Sequence, residues 1–276
     1  MIDRNEAPLS KACRALGVSR SGYYKWKKKK PDPEKWIRPA IQAIALEFSK
    51  YGYRRITKEL HRRGFIINHK RVLRIMREDN LLCIRRKFKP RTTDSNHACR
   101  RYPNLANSLE ITGLNQLWVA DITYVQLQQE FIYLAAVLDV GSRKCIGWEL
   151  GRQIDTQLTL NAINMALKRR KRLGFSKLVH HSDQGLQYAC KDYVERLQSK
   201  GIQISMSRKG NPYDNAFAES FMKTLKYEEV YIKEYETFDE AYTNIKRFID
   251  QVYNRKRLHS GIGYKPPNEY ERYVFS

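Results

Sequence analysis

The order of hydrophobic periods after residue 113 constrains the fold more than any other feature of the sequence. Apolar residues first recur in short runs typical of strands, and turn residues separate these runs. Longer helical periods then alternate with two further short apolar runs. The predicted elements are, in order, strands at 117–126, 130–140 and 144–150, a helix at 156–173, a strand at 178–182, a helix at 192–199, a strand at 202–206, and helices at 216–230 and 238–253.

Three antiparallel strands followed by alternating helices and strands is the order of the ribonuclease-H-like α/β fold. The predicted core at 113–276 is therefore a mixed five-stranded sheet with flanking helices. All-α modules precede it, namely a helix-turn-helix-like segment at 1–30 and a second helix-turn-helix domain at 35–83. The basic, polar stretch at 84–112 shows no period, and we expect a linker that orders on DNA.

Both helical modules have features of DNA-binding proteins. In the first, Gly17 supplies a turn, Ser19 is placed to cap the second helix, and the apolar face consists of Leu9, Ala12, Leu16 and Val18. A packing module without a DNA role has the same pattern. In the second, Asn68 caps a helix at 69–79 whose core-facing residues are Val72, Ile75 and Met76. We predict that this recognition helix presents Lys70, Arg71, Arg74 and Arg77 to DNA.

The charge distribution favours a nucleic-acid partner. The net charge is +23, and residues 1–110 hold 28 Lys and Arg against 10 Asp and Glu. The 5 cysteines are scattered without a Cys-x-x-Cys pair, which argues against structural zinc and fits a reducing compartment. No apolar run is long enough to span a membrane, and no signal peptide is recognisable. We therefore expect a cytoplasmic, nucleoid-associated protein with no membrane partner.

Three acids are candidates for a shared metal site. Asp121 lies in the middle of a predicted buried strand, where an acid without a partner is costly. Asp183 follows the next strand of the sheet, and Glu219 lies on a helix. Each acid alone also has an ordinary structural explanation. Together they offer the hard oxygen ligands that two Mg²⁺ ions need for phosphoryl transfer on DNA.

Four ordered motifs carry a resemblance to a known family. They run from Trp118 to Tyr124, from His181 to Tyr188, from Asp214 to Lys226 and from Tyr253 to Pro267. Asp183 and Glu219 have 35 residues between them, as in the D,D(35)E class. The chain resembles the downstream reading-frame product of transposases of the third insertion-sequence family, whose core is similar to retroviral integrase.

The resemblance implies a DDE-type DNA transposase that nicks, joins and integrates its element. Asp121, Asp183 and Glu219 would be its catalytic triad and its ligands for Mg²⁺, which Mn²⁺ can replace. Lys226 would contact the terminal DNA of the element, and helical spacing places Lys223 in the same groove. The implied partners are the terminal repeats, the target DNA and further copies of the chain.

Family members are often made as fusions to an upstream frame that carries a leucine zipper. This chain has no heptad run, so we expect the unfused downstream product, with the upstream product as a separate or fused partner.

Some alternatives stay open at this point. Arg257 and His259 either contact DNA or pack at the final helix, and His180 and His181 either orient Asp183 or fill the core. A DNA-binding accessory protein with an inactive core and an RNA-cleaving nuclease are the rival functions.

Overall fold

The structure is a computed structural model that describes residues 9–27, 36–82, 101–208 and 215–275. The chain divides into two compact units, a helical unit at 1–84 and a core unit at 85–276. None of the described helices is long and apolar enough to cross a membrane.

The helical unit contains five described helices, and two of the predicted caps are present. They are α1 (Leu9–Ala15), α2 (Arg20–Lys27), α3 (Ile37–Glu47), α4 (Tyr53–Arg62) and α5 (His69–Glu78). Ser19 Oγ accepts a hydrogen bond from Gly22 N at 3.0 Å, and Asn68 Oδ1 accepts one from Lys70 N at 2.8 Å. The predicted caps of α2 and α5 are therefore confirmed.

The apolar face predicted for the first module is partly wrong. Leu16 is 63% exposed and Val18 is 47% exposed, whereas Cys13 and Tyr23 are buried. Both misassigned residues lie in the turn between two short helices, which has too little neighbouring chain to cover them. The core predicted for α5 is confirmed, because its inward side chains are fully buried: Val72, Ile75 and Met76.

The core unit is built on a five-stranded sheet in the order β3-β2-β1-β4-β5. The strands are β1 (Leu117–Gln126), β2 (Phe131–Asp139), β3 (Cys145–Gly151), β4 (Val179–Ser182) and β5 (Gln203–Met206). The first three are antiparallel, while β4 pairs with β1 and with β5 in parallel. The predicted ribonuclease-H-like class, a mixed sheet with flanking helices, is confirmed.

Helices cover both faces of this sheet. They are α6 (Thr156–Arg170), α7 (Leu186–Ala189), α8 (Lys191–Gln198), α9 (Ala216–Leu225), α10 (Tyr231–Lys233), α11 (Phe238–Arg247) and α12 (Pro267–Phe275). One face packs on α6, α7 and α8, and the other packs on α9 and α11. Gly147 lets α6 approach β3 closely, because a Cβ there would lie 2.2 Å from the Ala162 oxygen.

Two predicted helices change their geometry before they end. The helix predicted at 216–230 is α9 followed by a π-helical turn, Lys226–Val230, and that at 238–253 is α11 followed by another, Phe248–Tyr253. A π-turn shifts the helical period by one residue, so it changes which side chains face the sheet. The short α7 and the C-terminal α12 were not predicted.

A buried ionic clamp ties the C-terminal helix to the sheet. Arg170 Nη2 lies 3.2 Å from Asp139 Oδ2 and also pairs with Glu271 on α12. Lys144 Nζ lies 2.7 Å from the other oxygen of Glu271. The backbone N–H groups of Asn115, Gly141 and Ser142 complete the clamp by donating to Asp139. These buried charges are therefore paired and hydrogen-bonded.

Candidate active site

Asp121 lies in the middle of β1, the central strand of the sheet. In the antiparallel register of β1 and β2, Asp121 lies opposite Ala136. The Ile122 N–H donates to Asp121 Oδ1 at 2.9 Å, which holds the carboxylate against its own strand. The predicted position of this acid on the central strand is what the structure shows.

The register of β4 places Asp183 beside Asp121. Val119 of β1 lies opposite His181 of β4, and each acid comes two residues later in its strand direction. Asp183 therefore follows the end of β4, on the edge where parallel strands present their carboxyl ends. The Gly185 N–H donates to Asp183 Oδ1 at 2.9 Å.

Glu219 reaches the same region from the first turn of α9. The start of this helix is attached to β1, because Asn215 Nδ2 donates to the Ala120 carbonyl at 3.1 Å. Asn215 is buried, and among the described residues its Oδ1 has no hydrogen-bond partner. Residues 209–214, which include part of the third motif, lie outside the described residues.

The three carboxylates lie close enough to affect one another's charge. Burial, and then the nearby charges of Asp183 and Glu219, raise the pKa of Asp121 to about 8 against the opposing effects of the Ile122 hydrogen bond and Lys226. Burial also raises the pKa of Glu219. The site is therefore a cluster of mutually repelling acids in which the protonated form of Asp121 is favoured.

These acids do not yet converge on one point. Across the described parts of the chain, no three His, Cys, Asp or Glu side chains are close enough to hold one ion together. The reason is visible in their hydrogen bonds, since Asp121 and Asp183 each direct an oxygen to a backbone N–H of their own segment. Mutual repulsion opposes any closer approach.

Lys226 lies at the start of the π-turn that follows α9, beside the acids. Its Nζ is 3.9 Å from the centroid of the Tyr124 ring, a cation–π distance. Burial lowers the pKa of Lys226, and the neighbouring Asp121 opposes this effect. Lys223 is exposed on α9, one turn after Glu219. Both predicted lysines thus lie on the helix that carries Glu219 or directly after it.

The basic residues of α5 form an exposed face in the helical unit. Lys70, Arg74 and Arg77 are exposed and Arg71 is half-buried. Arg74 Nη1 pairs with Glu78 at 2.6 Å, four residues later on the same helix. This arrangement agrees with a helix that presents cations outward, and the DNA contacts stay predictions.

The structure favours the packing alternative for Arg257 and His259. Arg257 is buried and forms two hydrogen bonds with Glu228, at 2.9 Å and 2.8 Å. His259 is buried against the Tyr253 ring, with 4.7 Å between the centroids. Neither side chain lies on the surface, so the predicted DNA contacts are not supported. The sequence did not reveal Glu228 as the acid that holds Arg257.

His180 and His181 are also core residues. Both are fully buried, with His180 Nε2 3.0 Å from the Tyr193 hydroxyl and His181 Nδ1 2.8 Å from Ser205 Oγ. Burial lowers the pKa of His180 to about 3, so this ring is neutral. The His181 contact joins β4 to β5 two residues before Asp183.

The sequence missed two contacts that organise the site. Asn215 anchors α9 to the strand of Asp121, and Tyr124 lies below Lys226. Spacing offered a signal for each, because Asn215 lies one helical turn before Glu219 and Tyr124 lies in the strand of Asp121.

Comparison with known families defines the class of the protein. Residues 112–212 match the model of an integrase core domain, and residues 200–267 match a second integrase core domain model. Residues 33–89 match an HTH-like domain. Fold, site and matches together define a protein with a helix-turn-helix-like region and an integrase-type catalytic core.

Relatives of nearly equal length identify the family more closely. The chain is 40% identical over 261 residues to the insertion element IS600 uncharacterized 31 kDa protein of Shigella sonnei, covering 91% of this chain and 94% of that protein. It is 34% identical over 284 residues to the transposase InsF for insertion sequence IS3A of Escherichia coli K12, covering 98% and 96%. The chain therefore belongs to the IS3-type family of insertion-sequence transposases, enzymes that transfer polynucleotide strands and act on DNA.

A solved structure is also similar. The chain matches a chain in the structure of the simian T-cell lymphotropic virus intasome in complex with the PP2A regulatory subunit B56 gamma, with a TM-score of 0.48 and 15% identity. The match covers 84% of this chain and 73% of that one.

Proposed function

We propose that this transposase cleaves and joins DNA with Asp121, Asp183 and Glu219 as its catalytic carboxylates, and that these acids hold two Mg²⁺ ions. The observation that carries the proposal is that acids from β1, the end of β4 and α9 lie near one another. Burial, and then the charges of Asp183 and Glu219, raise the pKa of Asp121 to about 8. Such shifts mark functional sites when a charge partner and burial combine.

The residues present fit a divalent cation. Carboxylate oxygens are the ligands that Mg²⁺ and Mn²⁺ prefer. Burial and like-charge repulsion disfavour the ionised acids. A bound cation would outweigh both effects, because its charge stabilises the ionised carboxylates. The buried Asn215 Oδ1, which lacks a hydrogen-bond partner among the described residues, adds a further unused oxygen beside the acids. When bound, the metal would supply positive charge that activates the attacking oxygen and stabilises the developing phosphate charge.

The reaction consists of two in-line displacements at phosphorus. In the first, water attacks a phosphodiester at the element end, and the bond to the 3′ oxygen breaks to leave a 3′-hydroxyl. In the second, this hydroxyl attacks a phosphodiester of another strand, so one P–O bond forms as one breaks. The chain itself contributes position and charge, with Lys226 and Lys223 placed beside the acids to bind phosphate oxygens.

The proposed DNA contacts fall on α5 and on the core. The exposed cations of α5 would contact the terminal repeats, and the core would hold the reacting end and the target DNA. Two element ends must be held in one complex to be joined, so we expect a homo-oligomer on DNA. An upstream reading-frame product, fused or separate, would assist recognition of the ends.

The test is a strand cleavage and joining assay on labelled terminal-repeat duplexes, with Mg²⁺ or with chelator. Wild type should cleave and join only with Mg²⁺, and Glu219→Gln should bind the same DNA without product. Glu195→Gln is the matched control, because Glu195 is an exposed acid of α8 that pairs with Lys191 at 3.7 Å. The assay is run with and without the upstream product.

Full activity of Glu219→Gln would remove this residue from the site. Specific binding without any product, even with the upstream protein, would favour the accessory DNA-binding role. Preferential cleavage of RNA competitor would favour the nuclease alternative.

A further inference from the structure

A cluster of aromatic rings lies beside the proposed carboxylate site and has no part in the proposed chemistry. We call it the aromatic platform. It consists of Tyr124 on β1, Phe131 on β2, Tyr227 in the π-turn and Tyr231 on α10. Lys226, which neighbours the acids, lies over the first of these rings.

Direct contacts join the platform across three stretches of chain. The centroids of Tyr124 and Phe131 are 5.7 Å apart with the rings almost perpendicular, and Tyr227 and Tyr231 have the same separation. The two pairs adjoin, because Lys226 Nζ lies 3.9 Å from the centroid of the Tyr124 ring and Lys226 directly precedes Tyr227 in the chain. Burial, and then the nearby Tyr124 and Tyr227, raise the pKa of Tyr231. The π-turn is what brings residues of α9 and α10 to the end of β1.

The outer rings of the platform are accessible. Phe131 is 52% exposed and Tyr231 is 43% exposed, while Tyr124 and Tyr227 are half-buried. Single exposed aromatic residues are ordinary on protein surfaces. A contiguous group of rings beside a proposed active site instead indicates a binding surface.

The platform lies where a strand of DNA is able to leave the site. Among the described strands, β4 pairs with β1 only at Leu117–Val119, so the rest of that edge of β1 is not covered by a strand. Tyr124 follows Asp121 by three residues, roughly 10 Å along a strand, which is about three stacked nucleotides. Lys226 connects the two, since it lies over Tyr124 and is close enough to Asp121 to be affected by its charge.

The charged side chains around the aromatic platform favour nucleic acid as its ligand. Lys223 and Lys233 are exposed on the helices that flank the platform. The two acids of the π-turn are already engaged, because Glu228 pairs with Arg257 at 2.8 Å and Glu229 accepts a hydrogen bond from Tyr235. Aromatic rings among lysines are the arrangement with which proteins bind unpaired nucleotides.

We propose that the aromatic platform stacks unpaired bases of the DNA strand next to the reacting phosphate, with Lys226 against the backbone of that strand. This inference rests on the proposed function, since it takes the reacting phosphate to lie at Asp121. Stacking would offset part of the cost of opening the terminal base pairs, and it would keep the strand end extended toward the acids.

The test compares the binding of two labelled terminal-repeat duplexes by fluorescence anisotropy. One duplex is fully paired, and the other has its last three base pairs mismatched. The full-length protein is used in chelator, so the assay measures the platform separately from catalysis. The variants are Tyr231→Ala, Tyr231→Leu, which keeps apolar volume without a ring, and Tyr231→Phe, which keeps the ring. Tyr273→Ala is the matched control, because Tyr273 is also an exposed tyrosine beside a lysine. It lies on α12, and Lys265 Nζ is 3.6 Å from the centroid of its ring.

Wild type should prefer the mismatched duplex. Tyr231→Ala and Tyr231→Leu should lose about tenfold or more of that affinity while binding the paired duplex within about twofold of wild type. Tyr231→Phe and Tyr273→Ala should behave as wild type. Equal losses on both duplexes, or no loss on either, would overturn the proposal. A change in the mass of the DNA-free protein in Tyr231→Ala would instead make the platform a contact between copies.

Discussion

The core unit contains two clusters of acids, one around Asp121 and one around Asp139, and their surroundings differ. Asp139 receives three backbone N–H groups and Arg170, which also pairs with Glu271. The carboxylate of Asp121 receives one backbone N–H and is surrounded by two further acids. Lys226 lowers the pKa of Asp121, but this effect is smaller than the increase that Asp183 and Glu219 cause.

This difference separates an ionic cluster that holds elements of the fold together from the acids that we propose to bind metal. Buried charges with several partners hold elements together, although forming them gains little net free energy. Buried acids without such partners destabilise the fold, so the cluster around Asp121 is a cost that a catalytic role explains. Substitutions in the two clusters should therefore have opposite effects on activity and on stability.

The largest expected effect is on activity, in Asp121→Asn. Joining should fall about 100-fold or more, because a ligand that organises the reacting phosphate is lost. The melting temperature should stay the same or rise, because Asn removes a buried carboxyl whose ionised form is disfavoured by burial and by the neighbouring acids. Single-turnover joining and thermal unfolding of the same preparation measure both quantities.

Either of two results for Asp121→Asn would contradict the proposed difference between the acids around Asp121 and the ionic clamp. One is joining at the wild-type rate. The other is a loss of stability as large as that expected for the ionic clamp.

The next largest effect is on stability, in Arg170→Met. This change leaves Asp139 and Glu271 buried without their shared cation, which should cost about 3–5 kcal/mol of unfolding free energy. Urea unfolding measures it. The control is Arg152→Met, whose 60% exposed side chain pairs with Glu130 at 3.3 Å and should contribute less than about 1 kcal/mol. Equal losses in the two variants would show that the clamp is no more than a surface pair.

Glu271 of the ionic clamp and Asp121 should differ in the sign of their pH dependence, whereas burial raises the pKa of Asp139 as it does that of Asp121. Burial raises the pKa of Glu271, but Arg170 and then Lys144 outweigh it, so the folded-state pKa lies below the usual 4.5. Its contribution is therefore present above about pH 4.5 and is lost as the pH falls through the folded-state pKa. Asp121 has the opposite sign. Its pKa of about 8 lies above the usual 3.8, so its contribution is present below about pH 3.8 and lost as the pH rises towards 8.

Unfolding free energies at several pH values test this contrast. Glu271→Gln should be less stable than wild type at pH 7 by on the order of 1 kcal/mol, and the deficit should shrink below about pH 4.5. Asp121→Asn should gain relative to wild type as the pH rises from 4 to 8. Parallel curves for both variants would remove the distinction between the clusters.

The smallest effect should come from Lys144→Met. Lys144 Nζ pairs with Oε2 of Glu271, and the Lys144 side chain is 25% exposed. Arg170 still neutralises the acid in this variant, so the loss should be about 1 kcal/mol. Urea unfolding beside Arg170→Met gives the ranking, and a reversed order would mean that Lys144, not Arg170, dominates the clamp.

The acids of the candidate site were predictable because they follow local rules. Asp121 interrupts an apolar strand, Asp183 ends another, and a strand order set by hydrophobic period brings the two side by side. The ionic clamp was not predictable, because Glu271 meets Asp139 only after α12 has packed against α6 and the sheet. The helical period at 216–230 predicted one continuous helix and gave no signal of the π-turn at Lys226, so the aromatic platform beside this turn was also missed.

The most direct test of the acid cluster is a count of bound metal ions. Mn²⁺ is titrated into the protein with a pre-cut terminal-repeat duplex, and free Mn²⁺ is measured by electron paramagnetic resonance. Wild type should bind about two more Mn²⁺ ions than Asp121→Asn or Asp183→Asn does on the same DNA. Arg152→Met should bind as wild type. Equal binding by wild type and both aspartate variants would contradict the claim that these carboxylates form the metal site.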